Sequence, residues 1–177
     1  MKKVSRTSIT ALRPIWKETQ RFRQLWILAV TVLPILLLLS VIFTQIFLGK
    51  QIGENPASNM ELALVLLLAT LPAMLILIAR LDTLILDNGI AVCFFPFHTD
   101  FRFYSWEEID KCHVRVYSPL REYGGWGLRG IGKHRAFNVS GNNGLQLVLR
   151  DGSKLLIGTQ QPDELTAALV KLGKLHR

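Results

Sequence analysis

Two uninterrupted apolar runs constrain this chain more than any other feature. From Leu25 to Leu48 there are 24 residues without a charge, and from Leu62 to Ala79 another 18. An uncharged run of about 18 residues or more is long enough to span a bilayer as a helix. At ~1.5 Å per residue the two measure ~36 Å and ~27 Å, against a hydrocarbon core of ~30 Å. The rest of a 177-residue chain is too small to wrap both runs as buried core helices. The first run also exceeds the ~7–15 residues of a secretory-signal core, and no small-residue cleavage site follows it. The expectation is a retained transmembrane hairpin over 25–80, with spans at 25–48 and 62–79.

Basic residues near the span ends set orientation. Lys2, Lys3, Arg6, Arg13, Lys17, Arg21 and Arg23 precede the first span, whereas the loop from Gly49 to Glu61 holds only Lys50, with Glu54 and Glu61. That asymmetry places the N-terminus inside, and a hairpin returns the C-terminal part to the same side. Arg80, directly after the second span, agrees. The expected location is the cytoplasmic (inner) membrane, with both termini cytoplasmic. Of the net charge of +8, the first 24 residues carry +6 and residues 81–177 only +2. The basicity therefore suits anionic membrane lipid, and no nucleic-acid partner is expected.

Ile9, Leu12, Trp16, Thr19, Phe22 and Trp26 recur at steps of three and four, with Arg13, Lys17 and Arg21 in a row on another face. This spacing predicts a basic amphipathic helix within an interfacial segment, residues 1–24. Trp16, Lys17, Arg21, Arg23 and Trp26 are its candidate membrane-interface anchors. A solvated leader before the first span is the plainer alternative. Pro34 and Pro72 lie mid-span and predict two bent helices, and Ala69 with Ala73 permits close helix approach. Neither span holds an ionisable residue, which argues against an ion or proton pathway.

From Leu81 the pattern changes to short strands. Runs at 83–86, 90–97, 101–105, 112–117, 134–139, 145–149 and 154–157 alternate with turn signals such as Asn88-Gly89 and Asp151-Gly152. Pro162, Asp163 and Glu164 open a helix whose stripe is Leu165, Ala168, Leu169 and Leu172. The expected fold class is α+β. A two-helix transmembrane hairpin precedes a small roll of about seven antiparallel strands, residues 81–177, closed by a C-terminal amphipathic helix.

The segments Tyr123-Gly124-Gly125-Trp126-Gly127-Leu128-Arg129-Gly130, Ala136-Phe137-Asn138-Val139-Ser140-Gly141, Gly144-Leu145-Gln146-Leu147 and Ile157-Gly158-Thr159-Gln160 carry a resemblance. The chain resembles membrane-tethered bacterial PH-like (pleckstrin-homology-like) domain proteins of uncharacterised function, over the hairpin and from about Leu81 onward. The resemblance implies a fold and a location rather than an activity. Domains that bind lipid headgroups cluster Lys and Arg in their first hairpin loop, whereas this one reads Asp87-Asn88-Gly89.

The most distinctive candidate site is the glycine-rich loop from Ser118 to Lys133. Gly125-x-Gly127-x-x-Gly130 matches a dinucleotide fingerprint formally, but that motif must follow a strand and open a helix. Here Arg121-Glu122-Tyr123 precedes it, and the glycine density denies it a helix. The loop either closes the roll or forms an interaction surface through Arg121, Tyr123, Trp126, Leu128, Arg129, Lys133 and Arg135. His98, His113, His134 and His176 fit no zinc spacing. Cys112 and His113 project to opposite faces of a strand, which removes a nucleophile pair. Cys93 and Cys112 read as buried thiols, because a reducing compartment disfavours a disulfide. No catalytic, metal or cofactor-binding residue is expected. The resulting expectation is a non-enzymatic, membrane-anchored module that presents a cytoplasmic interaction surface. An accessory or regulatory subunit of a larger membrane complex is the alternative, with a divergent enzyme behind it. Besides lipid, the expected partner is a protein or a second copy of the chain, met through the spans or the glycine-rich loop.

Overall fold

The computed structural model describes residues 2–5, 9, 13–50, 52, 53 and 55–175. It divides into two compact units, Phe22–Ile78 and the combination of Met1–Arg21 with Ala79–Arg177.

The first unit is a hairpin of two helices, α1 (Leu25–Phe47) and α2 (Asn59–Ile78), with Pro34 and Pro72 inside them. Their 23 and 20 residues are each long and apolar enough to cross a membrane. Only Ile27, Leu62 and Ala73 are buried along them, while Leu37, Phe47, Leu68 and Met74 are exposed. Helices this apolar on all sides suit hydrocarbon rather than water. The hydroxyls of Thr31, Ser40, Thr44 and Thr70 donate to carbonyls in the preceding turn, at 2.7–2.8 Å. The second helix starts three residues earlier than its apolar run, because Ser58 and Glu61 form a capping box. Glu61 N–H donates to Ser58 Oγ at 3.3 Å and Ser58 N–H to Glu61 Oε2 at 2.7 Å. Gln45 Nε2 joins the far ends of the two helices by donating to Ala57 O at 2.9 Å and Asn59 Oδ1 at 2.8 Å.

Among the described residues the second unit holds ten strands in two sheets of five, against the seven expected. In the first sheet, β1 (Lys2–Val4), β2 (Trp16–Arg21), β3 (Arg80–Leu86), β4 (Gly89–Phe95) and β5 (Phe101–Ser105) lie in the order β1-β5-β4-β3-β2, all antiparallel. In the second, β6 (Ile109–Val116), β7 (Gly127–Arg129), β8 (His134–Asn138), β9 (Asn143–Leu149) and β10 (Lys154–Thr159) lie in the order β6-β9-β10-β8-β7. The pairing of β8 with β10 is parallel, so the roll is not wholly antiparallel. A short helix α3 (Pro119–Tyr123) follows β6, and α4 (Pro162–Lys171) ends the chain with Leu165, Ala168 and Leu169 buried, as its stripe predicts. Phe94, Leu81, Ile85, Leu145, Leu155 and Ile157 are among the fully buried side chains of the unit.

The three additional strands are β1, β2 and β7. The first two correct the helix expected near the N-terminus. Residues Trp16 to Arg21 alternate between buried and exposed with period two, and the ladder runs from Trp16↔Ile85 to Arg21↔Arg80. Trp16, Glu18 and Gln20 point inward, and Lys17, Thr19 and Arg21 outward. The misleading helical spacing ran through Thr19 and skipped two polar residues that are in fact buried. Leu12 of that pattern lies outside the described residues, whereas Ile9 packs with Leu84, Leu86, Ala91, Cys93 and Phe101.

Glu18 and Gln20 are inward because the second sheet satisfies them. Glu18 accepts from Thr159 Oγ1 at 2.7 Å and Gln160 N–H at 2.8 Å, and Gln20 Nε2 donates to Gly158 O at 2.6 Å. The edge strand of one sheet is thus fastened to the end of β10 in the other. Cys93 and Cys112 are buried and in no disulfide, and burial pushes the Cys112 thiol up to about 12.

Candidate functional site

The glycine-rich segment becomes an ordered rim on the second sheet. Pro119 opens α3, and Gly124 ends it in the left-handed region at φ 69°. Gly124 N–H and Gly125 N–H then donate to Leu120 O at 3.0 Å and Pro119 O at 2.9 Å. The next residues form β7, the edge strand, with Gly127↔Asn138, Leu128↔Phe137 and Arg129↔Ala136. Gly130 must turn at φ 81°, where a Cβ would collide with the His134 carbonyl.

Asn138 is the staple of this rim. Its Oδ1 accepts from Gly127 N–H at 2.9 Å, and its Nδ2 donates to Tyr117 Oη at 2.9 Å. Tyr117 meets Tyr123 edge-on with ring centroids 6.0 Å apart, and both pack on Ala136 and Leu156. Trp126 Nε1 donates to Gly141 O at 3.1 Å, and Arg129 Nε to Trp126 O at 2.8 Å. These contacts make the segment an ordered edge strand of the second sheet rather than an open loop. The segment opens no helix, so the dinucleotide geometry is not present at Gly125–Gly130.

The sequence-derived candidates therefore divide. Tyr123, Trp126 and Leu128 are half-buried in the rim, while Arg121, Arg129 and Lys133 are exposed along it. Arg135 belongs elsewhere. It shares a strand face with Phe137, and its charge acts on His98 together with Arg102 and Lys3. Burial and those three cations hold His98 down at about 4. Of the candidate membrane-interface anchors, Lys17, Arg21, Arg23 and Trp26 are exposed, but Trp16 is buried within the β unit. The two-residue period of β2 turns it inward, so that anchor assignment is corrected.

Beside the rim lies a polar cleft that sequence reasoning did not assemble. It encloses about 380 Å³ and is lined by His113, Arg115, Glu122, Tyr123, His134, Gln146, Val148 and Lys154. The register of the sheet builds it. His113 pairs with Gln146 across β6 and β9, Val148 with Lys154 across β9 and β10, and Lys154 with His134 across β10 and β8. His113 and Arg115 alternate along β6 with Cys112, Val114 and Val116, which puts them on one face of the strand. That His134 and Lys154 join it depends on the parallel β8–β10 pair, which no local pattern signals.

Arg115 is locked at one wall. Its Nη2 lies 2.7 Å from Glu122 Oε2 and its Nη1 3.3 Å from Oε1, while Nε and Nη2 donate to Gln146 Oε1 at 3.2 and 3.1 Å. Glu122 Oε1 also accepts from Ser118 N–H at 2.8 Å. The Arg115 hydrogen bond and then the Ser118 N–H hold the Glu122 carboxyl below its usual range. Desolvation, followed by Arg115 and Lys111, lowers His113. Among the described residues no group of three or more His, Cys, Asp and Glu is arranged to hold a metal ion. Comparison with protein-family models, with characterised proteins and with solved structures finds no match for this chain.

Proposed function

We propose that this chain is a non-enzymatic, membrane-anchored module. Its hairpin spans the cytoplasmic membrane, and its two-sheet unit, a variant of the pleckstrin-homology-like roll, presents the α3–β7 rim to a protein partner on the cytoplasmic side. The supporting observation is where the hairpin is inserted. β2 and β3 are register partners, with Arg21 opposite Arg80, yet the whole of 22–78 lies between them in sequence. If both helices cross the bilayer, this pairing requires an even number of crossings, so that the two strands share one side. Three residues join β2 to α1 and one joins α2 to β3. Arg21, Arg23 and Arg80 cluster at those junctions, in the sense of the positive-inside rule. The likeness to a pleckstrin-homology roll rests on two packed sheets followed by a terminal helix. It departs from that plan in β1, β2, β7 and the parallel pair.

The rim offers exposed apolar side chains beside basic ones. Leu120 is 65% and Ile131 95% exposed, with Arg121, Arg129 and Lys133 near them in sequence. Reporter fusions at both termini and photo-crosslinkers at Leu120, Ile131 and, as a control, Asp87 test the reading in cells. Cytoplasmic reporters and a discrete protein adduct from the rim positions alone are expected. An external C-terminus, or the same adducts from Asp87, would sink it.

A further inference from the structure

We infer that the β4–β5 turn and the strand ends beside it form a lipid-contacting surface, with Phe97 seated at the headgroup level of an anionic leaflet. This surface rests on the membrane-spanning reading of α1 and α2 and adds to it the residues of the β unit that touch lipid. The chain leaves the first sheet for the hairpin and returns to it at one end. Arg21 closes β2 and Arg80 opens β3, and the two are register partners. Phe95 closes β4 directly opposite Arg80. Only Ala79 separates Arg80 from the last residue of α2, a chain length of at most ~7 Å. Where α2 emerges from a bilayer, the strand ends at Arg80 and Phe95 therefore stand near the leaflet surface. The turn at Asp87–Gly89 closes the opposite end of β3 and β4.

A single exposed apolar side chain calls for no explanation, but Phe97 is held out by an ordered turn. His98 N–H donates to Phe94 O at 2.8 Å, Phe94 N–H to His98 Nδ1 at 3.3 Å, and Cys93 Sγ to His98 O at 3.2 Å. The His98 ring also meets Phe137 of the second sheet edge-on, with centroids 5.3 Å apart. Phe97 nevertheless remains 59% exposed, the one phenylalanine, tyrosine or tryptophan so exposed among the described residues of the β unit. Cations surround the turn. The Arg80 guanidinium lies 5.4 Å from the Phe95 ring centroid, and Arg21 is its exposed register partner. His98 stands in the field of Arg102, Arg135 and Lys3. An arginine keeps its charge throughout the physiological pH range. The acids on these strand ends and their turn are Asp100 and Asp82, and Asp82 is already engaged by Arg80 at 3.2 Å and by Thr19 Oγ1 at 2.8 Å. An aromatic side chain projecting amid a surplus of basic groups matches a leaflet boundary, apolar below and anionic at the headgroups. A soluble partner would have to share that end of the sheet with the bilayer surface, which favours lipid as the occupant.

The test uses the full chain in nanodiscs loaded with one copy each. A nitroxide is placed on Thr99→Cys or, as a control at the opposite end of the sheet, on Asp87→Cys. Cys93 and Cys112 are buried, so a stoichiometry of one label per chain verifies that each variant is folded. The discs contain phosphatidylcholine alone or with a third of the lipid replaced by phosphatidylglycerol. Power saturation reads access of the label to oxygen, which partitions into lipid, and to a neutral nickel chelate, which stays in water. Protection of Thr99 from nickel relative to Asp87, greater in the phosphatidylglycerol discs and lost when Phe97→Ser is added, supports the lipid surface. A Thr99 label as open to nickel as Asp87 in both disc types, or protection that Phe97→Ser leaves unchanged, overturns it. A photoreactive phenylalanine at position 97 separates the occupants in cells. Lipid adducts support the surface, whereas discrete protein adducts alone give it to a protein partner and overturn it. A water-exposed Thr99 with a cytoplasmic C-terminus refutes this surface alone, while an external C-terminus refutes the module reading by itself.

Discussion

Removing the Glu18 carboxylate tests the fastening between the sheets most directly. Glu18 is 6% exposed and receives hydrogen bonds from Thr159 Oγ1 and Gln160 N–H. In Glu18→Ala both donors lose their acceptor. A hydrogen bond to a charged group contributes ~1.5–3 kcal/mol, and an orphaned buried donor costs ~1–3 kcal/mol. Two effects reduce the sum. The Thr159 hydroxyl can rotate, and burying the carboxylate is itself unfavourable, since desolvation is the main cause that raises its pKa. The expected net loss is about 2 kcal/mol, or roughly a 30-fold rise in the open population. Glu18→Gln should stay within about threefold of wild type, because its oxygen can accept from Gln160 and its amide can donate to Thr159 Oγ1.

Cys93 and Cys112 provide the assay, one buried thiol in each sheet. When opening and closing are fast, the rate of thiol labelling in the intact detergent-solubilised chain follows the open population. Both cysteines should accelerate together in Glu18→Ala. The pH dependence has a definite sign. A carboxyl whose folded pKa is raised contributes stability that is fully present below its unfolded pKa and is lost as pH rises through the folded value. The labelling rate of wild type relative to Glu18→Gln should therefore climb from acid to neutral pH, with intrinsic thiol ionisation cancelling in the ratio. Unchanged labelling in Glu18→Ala, equal damage from Glu18→Gln, or a flat ratio would refute the reasoning.

Three further outcomes are expected. Asn138→Ala removes the acceptor of Gly127 N–H and the donor to Tyr117, so β7 should fray at a cost of about 1–3 kcal/mol, read as faster hydrogen exchange at 127–129. Gly130→Ala adds a Cβ against the His134 carbonyl at a positive φ and should destabilise the same rim by more than ~1 kcal/mol, measured by chemical denaturation. Because Arg115 holds the Glu122 carboxyl low, Glu122→Gln should weaken the domain at neutral pH. The difference from wild type should vanish as the pH falls through that lowered value, a trend that thermal melts at stepped pH can follow.

The legible parts of this fold are those whose signal is local. The two long apolar helices announce themselves by length and absence of charge, and α4 by Pro162, its acidic first turn and the Leu165–Leu169 stripe. The seven strands from 81 onward are bounded by their own turns. Illegibility begins where a residue's environment is supplied from far along the chain. Trp16, Glu18 and Gln20 look like a polar stretch until β3 and β10 are placed around them. Their partners are 138 to 142 residues away in the case of Gly158, Thr159 and Gln160. A buried carboxylate has no sequence signature of its own, so a helical reading of the same residues met no local contradiction.

The candidate site follows the same rule. Trp126 and the glycines attracted attention because their composition is unusual, yet that composition serves the backbone. Gly124 ends α3, Gly130 turns into β8, and Trp126 is tied to Gly141. The cleft residues His113, His134 and Lys154 look ordinary one at a time and lie on three different strands. Their place on one sheet face follows from strand order, above all from the parallel placement of β8 beside β10. A side chain kept solvent-facing and unpaired at the floor of a cleft contributes little to folding. That these residues share one sheet face therefore leaves no folding signal in the sequence, and only the strand order makes the set visible.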